Sequence, residues 1–457
     1  MTDGVQSTGL RPDESGLRRG KAGRLRAALG QMRLRPSSAI VIAAIAALLA
    51  LPGVALLCSS GCSDNIIATV APSNRTDAAP LRDVPRVRVL LAQRTEGGPT
   101  MSVRVNGPWT LLDARTHEII LEGAWMQSAW GTVVQGISNG VVVNVTDKAG
   151  RKKTVHLPRA RIMPKRPGTL CVNNRTYRGV LDVIPHDDGT MTLVNEIPMD
   201  DYIGGVVTAE MPFYWPAEAL KAQAVVARTY CYALMLEKDK LVPRPDWDVE
   251  ASGLTHQEYQ GIPGEHPLGL AAAEATAGQV LMWDRQVFRA YFSSTCGGHT
   301  EACGLVWEDY PTIPPLAGGP CEYCKASKYY SWTETIASAD IERALRKAGK
   351  DPGIIRGLDF ADTNRDGHVD VITVHGQRQT LEMRGNDFRL AVGPSALKSL
   401  FFTARRAGAN AWQFTGHGWG HGVGLCQYGA NGMALLAKKY DEILKYYYPK
   451  TEIRKAY

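Results

Sequence analysis

The sequence predicts a membrane-anchored α+β protein in which a small all-β unit precedes a larger mixed α/β domain. Three features lead to this prediction: an unbroken apolar run at residues 39–57, short β-rich segments separated by Gly, Asn and Asp over residues 86–165, and mixed strand and helix patterns over residues 166–457. Short β-rich runs with such breaks are typical of hairpin-connected strands. A chain of 457 residues is long enough for two or three domains.

The formal charge is concentrated at the start of the chain. Residues 1–38 hold eight Lys or Arg and three acidic residues, a net +5 out of the +7 of the whole chain, which leaves +2 for everything after them. A nucleic-acid-binding protein needs a basic face on its folded domain. We therefore expect no nucleic-acid partner, and we interpret residues 1–38 as a basic cytoplasmic segment.

The apolar run at residues 39–57 is about the length that crosses a bilayer. The basic segment before it predicts that the N-terminus stays in the cytoplasm and that the rest of the chain lies outside. We expect a retained, single-pass N-terminal transmembrane helix, followed by a polar linker at residues 58–85. A cleaved signal peptide and lipid attachment at Cys58 or Cys62 are the alternatives.

The predicted β unit at residues 86–165 contains no catalytic constellation, and we interpret it as a scaffold module. Its strands are predicted at Val87–Leu91, Ser102–Val105, Glu118–Leu121 and Gly140–Val145. Helices are predicted further along, at residues 216–238, 271–275, 339–348 and 433–448. Residues 356–374 are predicted to form two strands around a polar turn.

Glu210 is the most informative acidic residue. It comes just before the helix predicted from Pro216, and it lies among apolar and aromatic neighbours such as Met211 and Trp215. Desolvation there would raise its pKa and keep it protonated near neutrality, as a general acid requires. Glu218, by contrast, lies in the first helical turn, where the helix dipole favours a negative charge. The alternative is that Glu210 is an exposed loop carboxylate and Trp215 a core residue.

Residues 417–424 read HGWGHGVG, which is too rich in glycine for a helix and lets the backbone approach a ligand closely. Aromatic, amide and hydroxyl groups suit a sugar, and this stretch and the residues after it offer His417, Trp419, His421, Gln427 and Tyr428. The alternative is a tight strand-to-helix turn with core histidines. A catalytic metal on the two histidines would need a helix to place both rings on one face.

Together these motifs resemble the SpoIID/LytB family of bacterial sporulation and cell-wall proteins. Further segments carry the resemblance: Leu193–Val207, which is similar to the family's strand and turn before the catalytic residue, Ala222–Tyr230, Tyr291–Glu301 and Leu397–Phe402. The resemblance covers roughly residues 171–449 and rests on several long motifs in the same order. We therefore interpret residues 166–457 as a SpoIID-like catalytic domain.

The resemblance implies a peptidoglycan lytic transglycosylase that cleaves MurNAc-GlcNAc bonds in denuded glycan strands and leaves 1,6-anhydro ends, in cell-wall remodelling or in sporulation-type engulfment. It implies that Glu210 is the acid and base, and that Arg228 and Tyr230 support the site. The residues implied to line the glycan groove are Trp215, His417, Trp419, His421, Gln427 and Tyr428. The main alternative is a non-catalytic, glycan-binding amidase enhancer that acts with other cell-wall hydrolases, and a zinc hydrolase is a weaker one.

The nine cysteines include two closely spaced pairs of possible metal ligands. Cys296-Gly-Gly-His299 and Cys321-Glu-Tyr-Cys324 have the spacing of a tetrahedral zinc site. We predict that these four residues hold one structural zinc, with Cys303 able to replace His299; some members of the resembled family carry zinc. The alternative is a disulfide between Cys296 or Cys303 and Cys321 or Cys324, which an oxidising compartment permits.

The segment Asp362–Asp370 is similar to the first half of a calcium-binding loop. The twelfth position of such a loop should be a bidentate Glu, and here it is Thr373. We interpret the segment as a hairpin turn with solvated carboxylates.

Overall fold

The computed structural model describes residues 84–93, 100–123, 132–146, 151–253, 255–362 and 365–457. The predicted basic segment, the predicted membrane anchor and all but the last two residues of the predicted linker lie outside the described residues. Within the described ranges, no helix combines the length and the apolar character that crossing a membrane requires.

The described residues form 26 strands, which are numbered in chain order. They are β1 Arg86–Ala92, β2 Thr100–Asn106, β3 Trp109–Asp113, β4 Ile119–Gly123, β5 Thr132–Ile137, β6 Gly140–Thr146, β7 Lys152–Leu157, β8 Ala160–Pro164, β9 Thr169–Val172, β10 Arg175–Tyr177, β11 Val180–Pro185, β12 Met191–Pro198, β13 Val249–Glu250, β14 Gln279–Trp283, β15 Gln286–Val287, β16 Phe292–Ser293, β17 His299–Thr300, β18 Gly319–Pro320, β19 Trp332–Ala337, β20 Ile355–Ala361, β21 Val371–Gly376, β22 Thr380–Arg384, β23 Phe402–Arg406, β24 Ala411–Gly416, β25 Leu425–Cys426 and β26 Glu452–Lys455.

The described residues also form eight α-helices and two short 3-10 turns, Ile262–Gly264 and Pro314–Leu316. The helices are α1 Met199–Glu210, α2 Ala217–Lys238, α3 Pro267–Ala275, α4 Cys303–Val306, α5 Ser338–Lys347, α6 Gly385–Val392, α7 Gln427–Leu435 and α8 Tyr440–Tyr447. The α+β class is confirmed.

Two large, mostly antiparallel sheets hold the first part of the described chain. One has the strand order β10-β9-β2-β5-β6-β7, and the other has the order β13-β1-β12-β11-β8-β3-β4. Strand β2 illustrates why they form, because its alternate residues Met101, Val103 and Val105 are buried while Ser102 and Arg104 are exposed. Alternation of this kind buries one face of a sheet and leaves the other in water.

Strand pairing crosses the boundary that the sequence suggested between residues 165 and 166. Strand β8 pairs with β11, and strand β2 pairs with β9, so each sheet takes strands from both sides of that boundary. The four predicted strands of residues 86–165 are present, but they form no separate sheet. Strands β9 to β12, and the short strand β13 at Val249–Glu250, complete the two sheets.

Helix α2 is the centre of the second part of the chain and confirms the helix predicted from residue 216. It contacts α1, α3, α7, α8 and β14, which explains why most of its residues are buried. Arg228 in this helix is fully buried. Its guanidinium forms an ion pair with Asp200 at 2.8 Å and donates to the carbonyl oxygens of Ala273 at 3.1 Å and Gln279 at 3.2 Å. One buried cation therefore joins α1, α2, α3 and β14.

Helix α1 occupies the segment that the resemblance presented as a turn before Glu210, so that part of the prediction is wrong. Gly204 and Gly205 both lie inside the helix. A Cβ atom on Gly204 would come within 2.6 Å of the Leu270 side chain, and one on Gly205 within 3.1 Å of the Tyr259 ring. The glycines therefore serve close packing and not a change of chain direction.

The single helix predicted at residues 433–448 is also wrong, because two helices, α7 and α8, occupy the region. Ala437 lies between them with a φ of 61°, a left-handed conformation that no α-helix contains. The strands predicted at residues 356–374 and the helices predicted at 271–275 and 339–348 are confirmed with shifted ends.

A second hydrophobic core lies between residues 332 and 414. Two three-stranded sheets, β19-β24-β23 and β20-β21-β22, pack with α5 and α6 around it. Its largest buried side chains include Trp332, Phe388, Phe402 and Phe414. This part of the chain separates the motif at residues 291–301 from the glycine-rich segment at 417–424.

Candidate active site

The sequence suggested that Glu210 lies in a loop, but it is the last residue of α1. The chain turns after it, with the Trp215 amide donating to the Pro212 carbonyl oxygen at 3.1 Å, and α2 begins after Pro216. Met211 and Trp215 are buried beside it, while Glu210 itself keeps a partly exposed surface. The carboxyl group therefore combines an apolar wall with access from solvent.

The same short connection exposes two aromatic side chains. Phe213 is 46% exposed and Tyr214 is 73% exposed, and the Phe213 ring stacks on the His266 ring with 4.1 Å between the centroids. Large exposed rings beside a polar group are typical of binding surfaces. No motif in the sequence pointed to these three residues as part of the site.

A loop before α3 supplies a hydrogen bond to Glu210 that the sequence did not reveal. The Glu258 amide donates to Glu210 Oε1 at 2.7 Å. The neighbours of Glu258 face the interior, where Gln257 accepts from Tyr202 at 3.1 Å and Tyr259 donates to Asn195 at 3.0 Å. Since alternate residues are anchored in the core, the amide between them is held towards Glu210.

Burial raises the pKa of Glu210 to about 7. The Glu258 amide and the Gln427 side chain act in the opposite direction, since both favour the ionised form, while the nearby Glu258 carboxylate raises the pKa further. The position of Glu210 at the C-terminal end of a helix also disfavours a negative charge. The carboxyl group is therefore balanced between its two protonation states at neutral pH.

The glycine-rich segment confirms the prediction of positive φ angles. Gly418, Gly420, Gly422 and Gly424 all have φ between 73° and 118°. The segment packs against residues 291–295, and a Cβ atom on Gly420 would come within 2.7 Å of the Ser293 side chain. Its close approach to this neighbouring strand, which no larger residue would permit, brings the start of α7 to the site.

Two residues at the start of α7 reach the surroundings of Glu210. Gln427 is buried and lies close enough to the carboxyl group to lower its pKa. The Tyr428 ring meets the edge of the Trp215 ring with 4.9 Å between the centroids. The structure therefore brings Glu210, Trp215, Gln427 and Tyr428 together.

The other three predicted groove residues have separate contacts. His417 donates a hydrogen bond from Nδ1 to the Tyr330 carbonyl oxygen at 3.0 Å and packs near Phe401. Trp419 packs on Tyr329 with 4.0 Å between the centroids. Their role in glycan binding stays a prediction.

His421 lies in an aromatic group with Tyr291 and Trp307, at 6.0 Å and 4.8 Å between ring centroids. Burial lowers the pKa of His421 to about 3, and the positive charge of Arg389 acts in the same direction. His421 is therefore a neutral ring at physiological pH. Its place in a glycan groove also stays a prediction.

Glu218 connects two helices and contributes more than a charge in the first turn of α2. Its carboxylate accepts from Lys221 at 2.8 Å and from the Tyr440 amide, the first residue of α8, at 2.9 Å. Burial raises its pKa, but the bonds from Lys221 and Tyr440 outweigh burial, so the net effect is a lowered pKa. Glu218 and Glu210 therefore have opposite protonation preferences although they are eight residues apart.

The predicted zinc ligands are only partly brought together. The thiols of Cys296, Cys321 and Cys324 meet, but the fourth group within 4.8 Å is Cys426 and not His299. The predicted role of His299 is therefore corrected. Cys303 is also outside the cluster, since its thiol donates to the Pro311 carbonyl oxygen at 3.3 Å.

His299 belongs to a different group of polar side chains. Gly297 and Gly298 have positive φ angles and turn the chain between Cys296 and His299, so the two side chains diverge. The His299 ring lies 3.4 Å from Asp366, which also bonds His368 at 2.9 Å. The interpretation of this hairpin as carrying solvated carboxylates is wrong for Asp366, because its side chain is only 9% exposed.

Comparison with known proteins adds two matches along the chain. A family profile described as "Stage II sporulation protein" matches residues 187–283, which include Glu210 and its Glu258 partner. A second profile, described as a "Domain of unknown function", matches residues 322–424, which include the second core and the glycine-rich segment.

Several individual proteins are similar over longer stretches. The chain is 34% identical to "Stage II sporulation protein D" of Bacillus subtilis, over 58% of this chain and 76% of that protein. It is 32% identical to an uncharacterised protein of Brachyspira hyodysenteriae, over 70% of this chain and 84% of that protein. It is also 28% identical to an "Amidase enhancer" of Bacillus subtilis, over 54% of this chain and 40% of that protein.

Proposed function

Since the chain belongs to the family of stage II sporulation protein D, we propose that it acts on the bacterial cell wall as a peptidoglycan lytic transglycosylase. The observation that carries the proposal is the state of Glu210, a partly exposed carboxyl group with a pKa of about 7. A group whose pKa lies near the working pH can donate a proton and take one back within a single cycle.

The reaction needs one carboxyl group. Protonated Glu210 donates to the glycosidic oxygen between N-acetylmuramic acid and N-acetylglucosamine as the bond from that oxygen to the anomeric carbon breaks. The resulting carboxylate takes the proton of the C6 hydroxyl of the same muramic acid, and the C6 oxygen bonds to the anomeric carbon. Glu210 ends protonated, as it began, and the product is a 1,6-anhydro end. Most glycosidases, by contrast, use two carboxyl groups and water.

The hydrogen bond from Glu258 selects which oxygen of Glu210 carries the proton. Oε1 accepts the Glu258 amide at 2.7 Å, so Oε1 is the carbonyl oxygen of the neutral acid. The acidic proton therefore resides on Oε2, the oxygen that faces the sugar in this mechanism. Gln427 lies beside the carboxyl group, and Tyr428 and the exposed Tyr214 offer apolar faces to sugar rings.

A second candidate function is that of an amidase enhancer, which would bind glycan without cleaving it. The similarity to a protein of that name favours it. An enhancer would keep the aromatic and amide groups but would not require the raised pKa of Glu210, which favours the enzyme.

The proposal also concerns location. The apolar run at residues 39–57, with its basic flank, supports a membrane anchor that leaves the catalytic region outside the cytoplasm. The wall glycan and other wall hydrolases would then be within reach of the anchored protein.

The test is cleavage of denuded glycan strands by wild type, Glu210→Ala and Glu218→Ala, with products identified by mass spectrometry. We expect 1,6-anhydro-muramic ends from wild type, none from Glu210→Ala, and substantial turnover from Glu218→Ala, because Glu218 supports helix packing only. Full activity of Glu210→Ala would show that another residue is the general acid.

Two other outcomes separate the alternatives. If the wild type makes no product yet stimulates a wall amidase, the enhancer function replaces the enzyme. Reducing ends in place of anhydro ends would indicate hydrolysis with a second carboxylate, for which Glu258 is a candidate because its charge already influences Glu210.

A further inference from the structure

Four cysteines from three distant segments meet in the interior of the protein. Cys296 follows β16, Cys321 and Cys324 follow β18, and Cys426 ends β25. All four side chains are buried, and their sulfur atoms lie within 4.8 Å of one another. The sequence predicted three of them, Cys296, Cys321 and Cys324, as metal ligands, and the structure adds Cys426.

The distances between the sulfur atoms match a metal site and not a disulfide. The Cys296 and Cys324 sulfur atoms are 3.7 Å apart. Four thiolates about 2.3 Å from a tetrahedral zinc ion have sulfur atoms about 3.8 Å apart. A disulfide would require about 2.05 Å between the two sulfur atoms.

The surroundings of the sulfur atoms suit thiolates. The amides of Cys296 and Gly429 each donate to the Cys426 sulfur at 3.3 Å, and the Tyr447 hydroxyl lies 3.1 Å from the Cys321 sulfur. Gly429 leaves room for the cluster, since a Cβ atom there would come within 3.0 Å of the Cys321 sulfur and would overlap the Tyr447 hydroxyl.

We propose that Cys296, Cys321, Cys324 and Cys426 hold one Zn²⁺ as a closed structural site, and that this zinc positions the start of α7 at the active site. Soft thiolate ligands in a tetrahedron select zinc over hard cations. Four protein ligands leave no open position, so the ion takes no part in chemistry.

The link to the active site runs through Cys426. Its sulfur accepts the Gly429 amide and so caps the N-terminus of α7. The next two residues are Gln427, which adjoins Glu210, and Tyr428, which contacts Trp215. A zinc ion that ties Cys426 to Cys296 and to the Cys321–Cys324 turn therefore fixes where this helix begins. Cys426 is the positioning residue in this respect, and only this consequence rests on the proposed function.

The first experiment measures metal in the purified full-length protein by elemental analysis. We expect one zinc per chain, and its release when a mercurial reagent blocks four thiols. Cys426→Ser should lose zinc, whereas His299→Ala and Cys303→Ser should keep it. Cys231→Ser should also keep it, because Cys231 is buried in α2 and lies outside the cluster. A metal-free protein, bound iron, or a disulfide found among the four cysteines by peptide mapping would overturn the proposal. So would zinc that survives Cys426→Ser but is lost in His299→Ala.

The second experiment tests positioning and needs no variant. Chelation of zinc from the wild type should raise amide hydrogen exchange at residues 425–435 and leave residues 338–347, in the second core, unchanged. Equal loss of protection in both segments would mean that zinc supports the fold as a whole, which contradicts a local positioning role. Neither experiment measures catalytic activity. A protein that holds zinc but cleaves no glycan would therefore refute the proposed function and leave the zinc site standing.

Discussion

Replacement of Glu210 by Gln should stabilise the protein at alkaline pH, because the carboxyl group opposes folding when it is ionised. Its pKa is about 7 in the folded protein, against 4.5 as the ordinary value. The folded protein therefore still holds a proton that the unfolded chain has released between these two pH values. The free energy of unfolding falls as pH rises from about 4.5 to about 7, and this contribution is constant above that range.

The magnitude follows from the difference between the two pKa values. That difference, about 2.5, corresponds to about 3 kcal/mol in favour of the unfolded state above pH 7. Integration over pH gives a cost of about 1 kcal/mol at pH 5 and about 3 kcal/mol at pH 8. The variant removes this titration, while its amide oxygen still accepts the Glu258 amide.

Urea denaturation at pH 5 and pH 8 tests the argument. The gain in stability of Glu210→Gln over wild type should grow by about 2 kcal/mol between the two pH values. Glu218→Gln is the matched control, because a lowered pKa has the opposite sign. The Glu218 carboxylate stabilises the fold at pH values above the unfolded pKa, and this contribution is lost as pH falls through the folded pKa. Its variant should therefore be less stable than wild type at pH 8. A gain for Glu210→Gln that is equal at pH 5 and pH 8 would refute the reasoning.

Two further outcomes follow from named contacts. Wild-type activity should fall about tenfold per pH unit well above pH 7, because general acid catalysis requires protonated Glu210. In Glu258→Gln this alkaline fall in activity should occur at lower pH, because removal of a negative charge beside Glu210 lowers the pKa of Glu210. An unmoved limb in the pH–activity profile would exclude that influence. Gly424→Ala should lower the melting temperature more than Gly408→Ala, although both positions have positive φ (73° and 75°), because only Gly424 would place a Cβ atom against the Tyr291 carbonyl oxygen. Equal losses would show that φ alone decides.

The sequence was most reliable where one segment carries its own chemistry. Small and apolar residues run through helix α2, so its pattern predicted a buried helix whatever surrounded it. The glycine-rich segment predicted positive φ angles because glycine adopts them without steric cost. Glu210 was identified from apolar neighbours within six residues, which are also its neighbours in space.

The wrong predictions concern residues whose structural role depends on contacts with segments distant in the sequence. The resemblance implied a turn before Glu210, but the segment is a helix in which Gly204 and Gly205 let the Leu270 and Tyr259 side chains pack closely. His299 has the spacing of a zinc ligand to Cys296, yet two glycines with positive φ turn it towards Asp366. Spacing along the chain does not include the direction in which a side chain points.

The sequence by itself determined the kinds of groups present: a carboxyl group in apolar surroundings, a glycine-rich segment with aromatic residues, and a cluster of thiols. These depend on residue type and on near neighbours, which a sequence states directly. Only the tertiary structure decided which groups meet. The Glu258 amide reaches Glu210 across 48 residues, and the Cys426 sulfur reaches the Cys296 amide across 130. The physical reason is that desolvation, hydrogen bonding and metal coordination act over a few ångströms of space, and folding alone brings segments so far apart in the chain within that range.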